Sequence, residues 1–287
     1  MLFDNGGKVG VQGLGGIILT VSNSFFTGGT GASDINDCLA ATVTGGHGPC
    51  ATIQHTVNVA IATNAGGQRD TINLAAGTFT ECVNVGAAPL NPYPFEGPTI
   101  IINGAGTIST LWIGCNNQFG VLIVNGPAQV GIQNLEIEAT GLSGQSALYA
   151  QLGGTIHVFA GMNFLQASNC HLNTENAGSS IQIWNAYQVQ GNTTNGGHAC
   201  ATSNSYIEWN PNSFTITLNT PESYSGAFFQ ASFGGGLYQD NNTFAGAATG
   251  TKFTATMNGW ILSGVAGGCA NLPGSVAGST STGGQCQ

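Results

Sequence analysis

Four residues in the middle of the chain have side chains of the kind that cleave glycosidic bonds. Glu136, Glu138 and Glu208 could supply an acid and a base, and His171 could assist proton transfer. The 35-residue repeat described below places Glu136, His171 and Tyr206 in one outward column, with Glu138 and Glu208 in a parallel one. Carboxylates two coils apart would be about 9–10 Å from each other, at the upper edge of the range for inverting glycosidases. A solvated polar face carries the same residues, and this is the interpretation that we favour.

Aromatic residues form a second group of candidates. Tyr149 and Trp184 lie one repeat apart on outward positions, and Tyr206 belongs to the column of Glu136. An aromatic ring on a polar surface can stack on a sugar ring, or it can be buried against another subunit. The sequence leaves both interpretations open, and we favour the subunit contact.

The eight cysteines suggest disulfides rather than a metal site. Two pairs flank Gly-rich loops and could form disulfides, although the connectivity is not decided by the sequence: Cys38 with Cys50, and Cys269 with Cys286. Cys170 and Cys200 replace leucine or valine of the repeat, which predicts two small buried core residues. No CxxC pair occurs and the histidines lack metal-ligand spacing, so we expect neither a metal nor a cofactor.

The charge balance excludes several kinds of partner. The 287 residues include three lysines and arginines, and the formal net charge is −9. So few cations cannot neutralise a run of phosphates or hold an anionic membrane, so we expect no nucleic-acid binding. No apolar stretch is long enough to span a bilayer, and no convincing signal peptide is present, so we expect neither membrane insertion nor export by the ordinary route.

A repeat over residues 99–229 must position these side chains. At a shift of 35 residues, the following residues share one register: Ile100, Leu135, Cys170 and Ser205. Apolar residues alternate within each repeat, as at Ile100 and Ile102, which predicts short strands with one buried face. The 46 glycines and scarce charges argue against a helical protein. We therefore predict an all-β, right-handed parallel β-helix of five or six coils, each of about 35 residues with three short strands.

The segments around the repeat have separate roles. Residues 1–20 form a Gly-rich arm that could attach to another protein, residues 21–265 form the β-helix domain, and residues 266–287 form a Gly/Ser-rich tail. Residues 51–63 have helical apolar spacing, and Thr52 is suited to be the N-cap. Because an open β-helix end exposes unpaired strand edges and core, we predict that this helix covers the end.

The N-terminal part of the domain resembles the opening segment of right-handed parallel β-helix proteins of the pectate-lyase-like superfamily. The pattern is a Gly-Ala-x-Asp-x-Asn-Asp turn, a Pro-x-x-Thr-Ile-Gln helix start and a Gly-Thr-Phe-x-Glu first coil. The matching residues are Gly31, Asp34, Asn36, Asp37, Pro49, Thr52, Ile53, Gln54, Ala60, Ile72, Gly77, Thr78, Phe79 and Glu81. The match covers roughly residues 21–85, and the other coils resemble the family only in style.

Phage tail fibres, tailspikes and other virion appendages often carry this segment on a Gly-rich, charge-poor chain. The resemblance therefore implies a bacteriophage virion structural protein, assembled in the host cytoplasm. It further implies a homotrimer that joins other virion proteins and contacts host cell-surface glycan. Lyases of the superfamily need a cation on the coil surface, but Arg69 precedes the first coil and Lys252 lies in the last, so lyase activity is not expected. Two alternatives remain: a glycan depolymerase that uses Glu136, Glu138 and Glu208, and a bacterial surface adhesin.

Overall fold

The computed structural model describes residues 23–64, 68–86, 97–210, 213–219, 222–265 and 267–287, and the backbone of two short strands before them. Helix α1 spans Ile53–Thr63, and a single 3-10 turn spans Gly268–Asn271. The strands, in chain order, are β1 (Leu2–Asp4), β2 (Val9–Val11), β3 (Ser24–Thr27), β4 (Asp70–Leu74), β5 (Gly77–Thr80), β6 (Val83–Val85), β7 (Ile100–Asn103), β8 (Thr110–Ile113), β9 (Gly120–Asn125), β10 (Gln129–Gln133), β11 (Leu135–Ala139), β12 (Ser146–Gln151), β13 (Thr155–Val158), β14 (Met162–Ala167), β15 (Leu172–Glu175), β16 (Ser180–Ile183), β17 (Gln188–Val189), β18 (Ala199–Thr202), β19 (Tyr206–Trp209), β20 (Thr215–Leu218), β21 (Glu222–Ser232), β22 (Gly236–Gln239), β23 (Thr243–Ala245), β24 (Ala248–Ala255), β25 (Trp260–Ser263), β26 (Ser279–Thr280) and β27 (Gln285–Cys286).

Strands β3 to β27 form three parallel sheets, and the chain winds through them as a solenoid of about eight coils. The ten-stranded sheet has the order β27-β25-β22-β19-β16-β13-β10-β7-β4-β3. The seven-stranded sheet has the order β23-β20-β17-β14-β11-β8-β5, and the eight-stranded sheet has the order β26-β24-β21-β18-β15-β12-β9-β6. Each complete coil contributes one strand to each sheet, so the prediction of an all-β parallel β-helix with three strands per coil is confirmed.

The predicted 35-residue period and the predicted five or six coils are wrong, because the coils are shorter, unequal in length and about eight in number. Ile100 pairs with Val130, Val130 with Ile156, and Ile156 with Ile181, so these coils take 30, 26 and 25 residues. Inward and outward side chains alternate along all three strands of a coil. A shift of 35 residues therefore aligns inward positions that belong to different sheets. Leu135, for example, lies on β11 of the seven-stranded sheet rather than beside Ile100.

Inward side chains of the ten-stranded sheet form one continuous ladder through the core. Its members are fully buried and pair in register from coil to coil: Ile72, Ile102, Ile132, Val158, Ile183 and Trp209. Burial of each such side chain contributes about 1.5–3 kcal/mol relative to exposure. A single coil could not bury these side chains alone, so the coils must stack. The stacking also determines which side chains of each strand face outward.

Helix α1 covers the first coil, as predicted. Ile53, Val57 and Ala60 are buried, and the helix packs against β3, β4 and β6. The Thr52 hydroxyl accepts a hydrogen bond of 3.2 Å from the backbone N–H of His55, which confirms Thr52 as the N-cap. The helix begins two residues later than predicted because Thr52 and the residue before it belong to the cap.

Two carboxylates of the opening segment hold the start of this helix. Asp34 accepts hydrogen bonds from the N–H and hydroxyl of Thr52, and Glu81 accepts them from the N–H groups of Ile53 and Gln54 at 2.8 and 3.0 Å. These N–H groups have no partner inside a helix, so the carboxylates satisfy them. Burial would raise the pKa of Asp34, but the hydrogen bonds from Thr52 and Ala51, together with the charge of His55, outweigh it and lower that pKa. Burial raises the pKa of Glu81, which its own hydrogen bonds only partly offset.

The two ends of the chain are described to different extents. In the predicted arm, residues 1–20, the antiparallel pair β1 and β2 is described, and the remaining arm residues lie outside the described ones. In the predicted tail, β26 pairs with β24 and β27 pairs with β25. The tail therefore forms a last, partial coil on the solenoid.

Candidate functional site

The predicted acid–base residues lie on three different parts of the solenoid. Glu136 and Glu138 are on β11 of the seven-stranded sheet, whereas Glu208 and Tyr206 are on β19 of the ten-stranded sheet. His171 immediately precedes β15 and is fully buried in the core. The structure therefore does not bring the two predicted columns together, because they depended on the 35-residue period.

Glu136 and Glu138 belong to a polar network along the seven-stranded sheet. The side-chain amide of Asn163 donates to Oε1 of Glu136 and to Oε1 of Gln190, both at 2.9 Å. The hydroxyl of Thr140 donates to Oε1 of Glu138 at 2.7 Å. Neutral donors on the same chain thus satisfy both carboxylates, and the donor to Glu136, Asn163, is itself buried.

His171 belongs instead to a chain of hydrogen bonds inside the core. Its Nε2 lies 2.9 Å from the carbonyl oxygen of Leu165, and its Nδ1 lies 3.2 Å from Nδ1 of His198. Nε2 of His198 lies 2.6 Å from the hydroxyl of Tyr187, which accepts a hydrogen bond of 3.0 Å from the indole N–H of Trp209. Five residues, two on strands and three in the connections before β15, β17 and β18, thus meet in the middle of the solenoid.

One set of proton positions satisfies every bond of this chain. Trp209 can only donate, so the Tyr187 hydroxyl donates to His198, whose Nδ1–H donates to His171, whose Nε2–H donates to Leu165. Both imidazoles are then neutral. A further proton on His171 would place two N–H groups opposite each other, and one on His198 would face the hydroxyl proton of Tyr187. Burial lowers the pKa of His171 to about 4, although its backbone hydrogen bonds act in the opposite sense. Burial, and after it the neighbouring His171, lowers the pKa of His198 well below its usual value.

The outer face of the ten-stranded sheet carries a cluster of aromatic side chains near the last coils. Glu208, Tyr238 and Leu262 lie beside one another in register, and Tyr206 and Trp260 occupy the two strand starts on either side of Gly236. A Cβ atom at Gly236 would overlap the indole ring of Trp260, so that ring lies directly against the glycine. We call Tyr206, Glu208, Tyr238, Trp260 and Leu262 the aromatic face.

Groups in and beside the aromatic face combine apolar surface with hydrogen-bonding capacity. Trp260 is 41% exposed, and its indole ring covers Gly236. Desolvation, and after it the charges of Asp240 and Glu208, raise the pKa of Tyr238, so its phenol stays protonated at neutral pH. The face therefore offers ring surfaces, hydroxyl groups and one carboxylate within one stretch of sheet.

Trp184 extends the same side of the sheet toward earlier coils. Its indole N–H donates to Nδ1 of His157 at 3.1 Å, and the two rings stack with centroids 6.2 Å apart. Phe159 stacks on His157 with centroids 6.3 Å apart. Burial, and after it the charge of Arg69, lowers the pKa of His157 to about 4, so the imidazole is a neutral acceptor. Trp184 is thereby fixed in position while 36% of its surface stays exposed.

Tyr149 lies elsewhere. It is on β12 of the eight-stranded sheet, half-buried, and its hydroxyl donates to the carboxylate of Glu175. Burial, and then Glu175, raises its pKa. Of the predicted contact residues, Trp184 and Tyr206 thus share a sheet face and Tyr149 does not. Sequence reasoning missed Tyr238 and Trp260, which only the true coil lengths bring beside Tyr206.

All eight cysteines are paired in disulfides. Both pairs predicted from the sequence are formed, and the two further bonds join Cys82 to Cys115 and Cys170 to Cys200. Cys170 is buried, as predicted, whereas Cys200 is only half-buried, and the two form a disulfide that the sequence analysis did not predict. They lie on neighbouring coils, 30 positions apart, where unequal coil lengths bring an outward cysteine of β18 to the turn before β15.

Two other places have groups that could hold a ligand, but those groups are already bonded within the chain. The sulfur atoms of Cys38 and Cys50 lie close to His55, but they are bonded to each other and are not thiolates. A groove of about 160 Å³ on the seven-stranded sheet is lined by Thr107, Gln188 and other polar residues. The Thr107 hydroxyl already donates to Gly161, and Gln188 already accepts from Asn219.

No family model, curated protein or solved structure matches this chain. Within the described residues, no helix combines the length and the apolar character needed to cross a bilayer. The function must therefore be argued from the site and the architecture.

Proposed function

We propose that this chain is a rod-forming structural subunit of a bacteriophage virion appendage, such as a tail fibre, tailspike or head fibre. In this proposal its aromatic face contacts host cell-surface glycan. The observation that carries the glycan contact is the aromatic face itself, in which Tyr206, Tyr238 and Trp260 line one side of a solenoid with few charges.

The chemistry of the face fits a weakly charged polysaccharide. Tyrosine and tryptophan combine an apolar ring with a polar group, which matches a sugar with its apolar ring face and peripheral hydroxyls. Glu208 and its register neighbour Gln182 can hydrogen-bond to those hydroxyls. With Arg69 and Lys252 as the cations of the described residues, a highly anionic polymer is a poor fit.

The architecture fits a stiff appendage. Eight coils at about 4.8 Å each give a rod roughly 40 Å long, whose backbone groups pair from coil to coil. In a homotrimer three faces would bind one polymer surface with higher avidity than a single face. The assignment to a virion, with other virion proteins as partners, rests on the resemblance of the opening segment. Disulfides persist on virion surfaces, so we expect the cysteines to oxidise after release from the host cytoplasm.

The proposal is tested by binding to a panel of purified bacterial surface polysaccharides. We expect at least one to bind, and we expect Trp260→Ala and Tyr206→Ala to weaken that binding by about tenfold or more. Tyr149→Phe, on the eight-stranded sheet, is the matched control and should bind as the unmodified chain does. Equal binding by Trp260→Ala would show that the aromatic face is not the glycan site.

The same assay separates the enzyme alternative. Reducing ends released from a bound polysaccharide, and lost in Glu136→Gln or Glu208→Gln, would support a glycan depolymerase. Release unaffected by either substitution would place the chemistry elsewhere in the chain.

A second candidate function is a bacterial surface adhesin. The specific observation in its favour is that all eight cysteines are paired, which is typical of proteins that fold outside a reducing cytoplasm. Recovery of the native protein from the envelope of uninfected bacteria would favour the adhesin over the virion appendage.

A further inference from the structure

Five turns along one edge of the solenoid share an uncommon backbone geometry. Each connects the eight-stranded sheet to the ten-stranded sheet, and in each the N–H of the fourth residue donates to the carbonyl of the first at 2.8–3.2 Å. Both central residues have positive φ, the signature of a type I′ turn. The central pairs are Leu152–Gly153, Ser203–Asn204, Phe233–Gly234, Met257–Asn258 and Thr282–Gly283. We call these five turns the turn ridge.

The first central residue is unfavourable in all five turns, and in three of them it is also large and apolar. Type I′ turns favour asparagine or glycine at both central residues, because a larger side chain is strained at positive φ. Leu152, Phe233 and Met257 nevertheless occupy the first central position, with φ of 52°, 49° and 49°. Their side chains are 59%, 57% and 45% exposed, so the core does not require them either. Strain and apolar exposure at the same residues point to a role outside the folded chain.

The last turns of the ridge are stacked in register. The N–H of Asn204 donates to the carbonyl of Phe233 at 3.1 Å, Gly234 to Met257 at 3.0 Å, and Asn258 to Thr282 at 3.1 Å. The Phe233 and Met257 side chains therefore project from neighbouring coils, about 4.8 Å apart along the rod. Strand β25 follows the turn that contains Met257. Its exposed residues Trp260 and Leu262 continue this apolar surface onto the sheet.

We infer that the turn ridge is a contact surface between copies of this chain, in which Phe233 and Met257 are buried against a second copy and Leu152 supports the contact further along the rod. The inference rests on the proposed function, because it names the surface through which the appendage subunits would associate.

Charge favours a second copy as the occupant. The chain has a net charge of −9, so two copies repel each other wherever carboxylates face. The five described turns of the ridge contain no charged residue, and copies can approach there without opposing like charges. An anionic membrane surface would be repelled by the rest of the chain. A second copy also has the same rise per coil, so side chains projecting from one rod can fit between the coils of the other.

The test replaces the strained residues by the type that the turn prefers. The double variant Phe233→Asn/Met257→Asn removes the apolar surface, and asparagine tolerates positive φ. We therefore expect the monomeric variant to melt at the same temperature as the monomeric unmodified chain or at a higher one. We expect self-association, measured by light scattering and sedimentation over a range of concentrations, to weaken by more than about tenfold. The matched control is Ser203→Asn with Thr282→Asn, at the same turn position on the ridge, which should leave association unchanged.

The outcomes separate this inference from the proposed function. If the unmodified chain is oligomeric and the Phe233→Asn/Met257→Asn variant keeps the same mass, the ridge inference is wrong, while the proposed appendage remains. If the unmodified chain keeps the 29.0 kDa mass of one chain at all concentrations, the ridge inference is also wrong. Glycan binding and its loss in Trp260→Ala would then still support the aromatic face. A lower melting temperature in the variant would instead indicate that these side chains stabilise the single chain.

Discussion

Acid should weaken the core of this protein through the two buried imidazoles. His171 and His198 are neutral in a hydrogen-bond chain that has no place for another proton. Burial lowers the pKa of His171 from 6.5 to about 4, which corresponds to about 3 kcal/mol. The unfolded chain takes up this proton near pH 6.5 and the folded chain only near pH 4, so the free energy of unfolding falls as the pH drops through that window. His198 contributes in the same direction.

The measurement combines urea unfolding at pH 6.5 and pH 4 with NMR titration of each imidazole. We expect the free energy of unfolding to fall by about 3 kcal/mol for His171 alone, and further because the pKa of His157 is also about 4. Long-range proton–nitrogen spectra should show the proton of His171 on Nε2 and that of His198 on Nδ1. Titration of either residue near pH 6.5 in the folded protein, or the opposite tautomers, would refute the reasoning. The raised pKa of Glu81 increases the free energy of unfolding as the pH falls, which opposes the effect of the histidines. The same measurement in a Glu81→Gln variant removes this opposing contribution.

Three further predictions concern the disulfides, the helix cap and the aromatic face. Cys170→Ala with Cys200→Ala should lower the free energy of unfolding by about 3–4 kcal/mol, because the bond closes a loop of 30 positions, and a change near zero in urea unfolding would contradict this. Thr52→Ala should cost about 1 kcal/mol through loss of the N-cap bond to His55, whereas Thr80→Ala on the exposed strand β5 should cost less in the same assay. Gly236→Ala should displace the Trp260 ring, shift its fluorescence and weaken glycan binding, and unchanged fluorescence would count against the packing of that ring.

The architecture could be predicted from the sequence because it depends on local patterns. Alternating apolar residues such as Ile100 and Ile102 indicate strands whatever their partners are, and abundant glycine with few charges excludes a helical protein. The helix over Ile53–Thr63 was predictable for the same reason, since its apolar stripe and its Thr52 cap are local signals.

The site could not be predicted because it depends on register between coils. A fixed shift cannot align coils of 25, 26 and 30 residues. The 35-residue alignment therefore placed Glu136 in one column with His171 and Tyr206, although the three lie on different parts of the solenoid. His171 was expected outside because the 35-residue shift aligned it with Glu136 and Tyr206, but it lies inside the core, where His198 is its hydrogen-bond partner. Such a partner, 27 positions away, is visible only after the coils are stacked.

The most direct test of the virion assignment is immunogold electron microscopy with antibodies against this chain. The antibodies are applied to phage particles that carry the sequence and to uninfected host cells. The account predicts gold label on the appendages of intact particles and none on uninfected cells. Label on the envelope of uninfected cells, with unlabelled particles, would contradict the virion assignment and favour the surface adhesin.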